Sequence, residues 1–253
     1  YLIFGLDKSP SNSVVEQQQL DAVIDAAKSQ GVDKGISIQL VSDASDLSTT
    51  PDLPLELPQG GFELETVGLK CWPNCETDSL FAQKCFEQLE QAMEERAEDV
   101  SAREVEKREQ AQIDRDTRID AWSREVSDFH PKPGTSLVRF WHKVADLPAV
   151  KRNPANIEVV LMSDLEEAKS KDRNDLRKFV REYAKHGSCP DSVEYPALGQ
   201  VHVTLVQTVT DDIDADRWGE QWEDYLQCSG AFVTRHRYSP SVPLTEYMGD
   251  AQG

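Results

Sequence analysis

Leu2-Ile3-Phe4-Gly5-Leu6-Asp7-Lys8-Ser9-Pro10-Ser11 is the stretch on which the fold turns. Leu2 to Leu6 is apolar with a single glycine, the length and character of a strand buried on both faces. Asp7, Ser9 and Ser11 then put a carboxylate and two hydroxyls in the loop at that strand's carboxyl end, where open α/β sheets bind their ligands. The run suggests a divalent-metal site; three small polar residues after a strand are also compatible with an ordinary helix cap.

Working outward, Pro10, Ser11 and Asn12 end the strand, and Ser13 opens a predicted helix to Ser29 in which Val14, Leu20, Val23, Ile24 and Ala27 recur at helical spacing. Ile36 to Val41 alternates as a strand with one better-buried face. Residues 42–61, rich in Ser, Asp, Thr, Pro and Gly, read as a surface excursion. Phe62 to Leu69 alternates again and is expected to return antiparallel beside Ile36 to Val41 as an edge ribbon. From Glu90 to Glu125 there is neither proline nor glycine, so a very long helix is expected from Ser79 to about Val126. Its apolar positions keep no strict heptad, which favours a projecting helix or an inserted helical hairpin over a long coiled coil. That charged segment, at about 90–126, reads either as a partner-binding arm or as a solvated insertion.

Thr135 or Ser136 starts the next helix, through Leu137, Phe140, Trp141, Val144 and Leu147. Ile157 to Met162 is a continuous apolar strand ending in Ser163 and Asp164. A charged helix at Asp172 to Lys185, a strand at Val201 to Val206, a helix opening at Asp214 or Asp216, and a short strand at Phe232 to Thr234 complete the chain. Strands alternating with helices indicate an α/β fold, a mostly parallel sheet with an antiparallel edge ribbon and helices on both faces. One such domain over residues 1–253, with the long helical extension or insertion, accounts for the whole pattern.

The 46 acidic residues outnumber 27 basic ones, for a formal net charge of −19. Such a surface repels nucleic acid and anionic lipid, leaving a basic partner or a metal ion as the easier ligand, while the same acidity also serves solubility. No apolar run approaches the roughly 20 residues that span a membrane. With no basic segment before the first apolar stretch, no signal peptide is expected, although a segment cut from a longer protein could have lost one. Five cysteines, an odd and sparse set, fit a reducing compartment and a cytoplasmic setting better than a disulfide framework. Cys71-Trp-Pro-Asn-Cys75 suggests a local disulfide or half a zinc site, without a nearby histidine or second pair to complete it.

Three polar clusters therefore fall at strand or loop ends: Asp7 with Ser9 and Ser11, Gly134 with Thr135, and Ser163 with Asp164. Their oxygens are hard ligands, suited to Mg2+ or Mn2+ rather than to the softer metals that thiolate and imidazole prefer. With these elements the chain resembles a von Willebrand factor A or integrin inserted-type domain. The family's metal-ion-dependent adhesion site has an Asp-x-Ser-x-Ser loop after the first strand, a threonine before a later helix and an aspartate after the fourth strand. The resemblance implies Asp7, Ser9, Ser11, Thr135 and Asp164 as the positions for Mg2+, with Mn2+ or Ca2+ as substitutes. It also implies a partner protein whose acidic side chain completes the metal's shell, making the chain a binding module rather than an enzyme. Pro10 departs from the glycine usual between the two serines and supplies no backbone N–H.

Two other readings compete. In one, the long charged helix makes the contacts of a scaffold protein without metal. In the other, Asp7 is the nucleophile of a Mg2+-dependent phosphoester hydrolase, but Ser9 stands where that chemistry usually has its second aspartate, leaving no evident general acid. His130, His142, His186, His202 and His236 form no His-x-x-x-His pair, and no Gly-x-Ser-x-Gly elbow or phosphate-cradling glycine loop occurs.

Overall fold

The computed structural model describes residues 1–7, 16–41, 53–55, 80–129, 136–167, 170–208 and 213–248. Its strands are β1 (Leu2–Asp7), β2 (Ile36–Val41), β3 (Leu53–Leu55), β4 (Glu158–Ser163), β5 (His202–Gln207) and β6 (Phe232–Arg237). The helices are α1 (Glu16–Ser29), α2 (Leu80–Asp128), α3 (Leu137–Asp146), α4 (Pro148–Arg152), α5 (Ser170–His186) and α6 (Ile213–Cys228). The strands form one sheet in the order β3-β2-β1-β4-β5-β6, with every described pair parallel except β2 with β3.

The chain divides into two compact units. The first, residues 1–30, 34–56 and 118–253, holds the sheet. β1 is buried at every position, as its unbroken apolar run requires of a strand covered on both faces. Leu2, Phe4 and Leu6 face α1 and the last turns of α2, where Ile119, Trp122 and Val126 recur at helical spacing and are buried. Ile3, Val159, Leu161, Val203 and Leu205 face the opposite layer, built from α3 to α6 around Trp141, Phe179 and Trp222. Gly5 belongs to that side because Phe140 of α3 comes so close that a Cβ on residue 5 would lie 2.6 Å from its Cζ. The second unit, residues 31–33 and 57–117, contains the earlier part of α2. There the buried Arg115 guanidinium donates to the Gly31 carbonyl at 2.8 Å, and Arg108 pairs with Asp33 at 2.9 Å.

Right-handed crossovers leading away from β1 in opposite directions place their helices on opposite faces, which is the distribution seen here. The strand order therefore reverses between β1 and β4, and the crevice of a doubly wound sheet lies at the carboxyl ends of those two strands.

The antiparallel edge occurs, but its described strand is Leu53–Leu55, inside the stretch expected to be a surface excursion. Pro54 hid it, since proline tolerates an edge strand but weakens the pattern by which a strand is recognised. The expected return at Phe62 to Leu69, the Cys71 to Cys75 turn, and the start of the first helix at Ser13 lie outside the described residues. Between a single helix and a hairpin at 90–126 the result is one continuous helix, Leu80–Asp128, 49 residues long. The cysteine reading needs correction: Cys189 and Cys228 form a disulfide, with Cα atoms 5.5 Å apart. Their separation of 39 residues carries no local signal, because packing of the loop after α5 against the end of α6 brings them together.

Candidate functional site

Asp7 and Ser163 are the last residues of β1 and β4, so parallel pairing brings them to the same edge at the point where the strand order reverses. Both are fully buried, and Ser163 Oγ donates to Asp7 Oδ2 over 2.6 Å. The same hydroxyl accepts the Leu165 N–H at 2.9 Å, so its proton is directed to the carboxylate and its lone pair to the backbone. A charge-assisted bond of this kind fixes one carboxylate oxygen in a region closed to bulk water.

Asp164 follows immediately and is 6% exposed. Its Oδ1 accepts the Glu166 N–H at 2.9 Å, the side-chain-to-backbone turn that aspartate favours where a strand ends. Between them Leu165 has φ of +63°, a left-handed conformation rare for a residue with a branched apolar side chain. The Leu165 side chain is nonetheless buried, and its carbonyl accepts the Trp222 indole N–H of α6 at 2.9 Å.

Two further buried carboxylates surround the start of α3. Glu167 accepts the Val138 N–H at 3.1 Å, placing negative charge at a helix N-terminus whose first N–H groups have no partner within the helix. Ser136 caps the helix by accepting the Arg139 N–H at 3.3 Å and donates to Asp172 Oδ2 at 2.7 Å. Arg139 Nε lies 3.2 Å from the same Asp172 oxygen. Arg173 completes the clamp from α5, donating through Nε to the Glu167 carbonyl at 2.6 Å and reaching the Glu166 carboxylate at 2.5 Å.

Of the residues implied by the family resemblance, Asp7 and Asp164 come to adjacent strand ends, while Ser9, Ser11 and Thr135, like Gly134 and Pro10, lie outside the described residues. Ser136, next to Thr135, is buried in the cluster. The reading from sequence missed Glu167 and Asp172 as members of this edge. Each sits in a charged stretch that looks like a solvated face, and its hydrogen bond to the start of α3, distant in sequence, is what ties it into the edge.

Among the described residues no group of three His, Cys, Asp or Glu side chains is placed to hold a metal ion. The described donors nonetheless fit a hard divalent cation in kind: two carboxylates at neighbouring strand ends match its charge, and hydroxyl or water oxygens complete such shells. A groove of about 540 Å3 lies elsewhere, between the Asp21 and Asp25 side of α1 and residues 238–245, and takes in none of this cluster. No described helix is long and apolar enough to cross a membrane. No protein-family model matches this sequence, and no curated protein matches it.

Proposed function

We propose that this chain is a von Willebrand factor A-type protein-interaction module whose adhesion depends on a divalent metal. The observation that carries the reading is the Ser163 to Asp7 hydrogen bond, which joins the ends of β1 and β4 beside Asp164 at the reversal of strand order. The antiparallel edge strand beside an otherwise parallel sheet also agrees with the element order of that family.

In this reading Asp7, Ser9, Ser11, Thr135 and Asp164 hold Mg2+, directly or through water, with Mn2+ or Ca2+ as substitutes. A bound divalent ion supplies an electrophilic position for a carboxylate of the partner protein. The chain's own part is to orient oxygens: Ser163 aims Asp7, and the turn through Leu165 aims Asp164. With a net charge of −19, attraction of an acidic partner side chain depends on the ion. The direct test is recovery of native partners by the immobilised protein in Mg2+ and in EDTA, beside an Asp7→Ala variant. Recovery that survives EDTA and the variant unchanged rules the mechanism out.

A second reading draws on α2. Val105 and Ile113 are 52% and 59% exposed on that helix, apolar surface suited to a protein contact made without metal. Substituting Val105→Glu together with Ile113→Glu, which leaves the buried Ile119 in place, separates the two readings: binding lost with the fold intact assigns the contact to α2, whereas binding retained and sensitive to Asp7→Ala assigns it to the sheet edge.

A further inference from the structure

We infer that Trp222 is the positioning residue for Asp164, acting through the left-handed turn at Leu165. The inference rests on Asp164 belonging to the metal edge, and it deepens that reading by naming what holds the edge in shape.

A non-glycine residue at φ of +63° is strained, its Cβ crowded by the following carbonyl, and persists where its surroundings over-determine it. Three contacts do so here. The Leu165 N–H is taken by Ser163 Oγ at 2.9 Å, the side chain is sealed in the core, and the carbonyl is taken by the Trp222 indole at 2.9 Å. The first belongs to the strand end itself and the second is nondirectional packing. Among the described residues, the indole bond is the one directional restraint on the Leu165 backbone that comes from another element, 57 residues along the chain, and Trp222 is fully buried. The next peptide N–H, that of Glu166, turns back onto Asp164 Oδ1. Rotation of the Leu165 peptide swings that N–H away, and with it one of the restraints on the Asp164 carboxylate. A buried carbonyl that loses its donor gains by such a rotation if it finds another partner. The position of α6 thereby becomes a determinant of where Asp164 points.

Trp222→Phe keeps an aromatic ring in the core and removes the indole N–H. Tyr225→Phe is the control: it lies on the same helix in the same core, and its hydroxyl donates to the Glu194 carbonyl at 3.2 Å, away from the Asp164 turn. Two readouts are taken, the Mg2+ dissociation constant by calorimetry and, without metal, the backbone amide chemical shifts of Leu165 and Glu166. Trp222→Phe is expected to weaken Mg2+ binding about tenfold, the scale of one buried hydrogen bond, and to move both amide resonances. Tyr225→Phe is expected to leave both where they are. Equal effects in the two variants, or an unaltered affinity with unmoved amides in Trp222→Phe, overturn the assignment. If the native protein takes up no Mg2+, the metal reading fails on its own, and the metal-free amide shifts still decide whether Trp222 sets the turn. Should Trp222→Phe not fold, the native protein is decisive: Mg2+ is expected to slow hydrogen exchange at the Trp222 indole, and exchange unchanged by Mg2+ overturns the coupling.

Discussion

Ser163 Oγ donates to Asp7 Oδ2 at 2.6 Å across 156 residues of sequence, and both side chains are sealed from solvent. Removing the hydroxyl takes from a buried carboxylate one of the donors that replace its hydration. Ser163→Ala is therefore expected to lower stability by about 1.5–3 kcal/mol, the range for a hydrogen bond to a charged group. It also deprives the Leu165 N–H of its acceptor. Urea denaturation of the variant beside the native protein measures the loss, and an unshifted midpoint shows that Asp7 does not depend on this bond.

Metal occupancy has a thermal signature. A ligand that binds only the folded state stabilises it by mass action, by about 2.7 kcal/mol at a hundredfold excess over its dissociation constant. Millimolar Mg2+ is expected to raise the melting temperature of the native protein, and Asp164→Asn to abolish the increment while sparing the fold, because the amide oxygen still accepts the Glu166 N–H. Equal increments in the two proteins exclude Asp164 as a ligand position.

Legibility followed how much of each residue's environment is local. β1 and β4 are read from sequence because strands buried on both faces are continuous apolar runs, and α2 because a long stretch without glycine or proline has few alternatives. Asp7 and Asp164 are legible as candidates because each directly follows such a run. β3 escapes because three residues centred on Pro54 carry no periodicity. Glu167 and Asp172 escape because their partners, the Val138 N–H and the Ser136 hydroxyl, lie at the start of α3, far from them in sequence. Nothing in the side chain of Leu165 announces a positive φ; the core imposes it.

The disulfide makes a prediction of its own. Cys189 lies in the loop after α5 and Cys228 ends α6, so the bridge closes a loop whose entropy in the unfolded chain it removes. Cys189→Ser with Cys228→Ser is expected to cost about 2–4 kcal/mol. The same loop stays tied by the Tyr225 hydroxyl on the Glu194 carbonyl and the Tyr195 hydroxyl on the Pro190 carbonyl, so the fold should persist. Guanidinium unfolding with and without a reducing agent tests it, and coincident curves mean that the bridge adds nothing.

At the opposite end of β4 from Asp164, Glu158 sets a pH dependence. Burial pushes its carboxyl above the usual 4.5, opposed in part by the positive charges of Lys34, His202 and the amino terminus. The folded state thus holds the Glu158 proton more tightly than the unfolded chain does. For a raised pKa, the contribution to stability is fully present below the unfolded value and is lost as pH rises through the folded one. Glu158→Gln resembles the protonated form at every pH and cannot lose it. The stability of the variant relative to the native protein is therefore expected to grow as pH rises from 4.5 through the raised value, then level off, with the native protein relatively better at the acid end. Urea denaturation of both proteins across that range gives the difference directly. A flat difference means that Glu158 titrates alike in the folded and unfolded states, and a falling one means that its charged partners outweigh its burial.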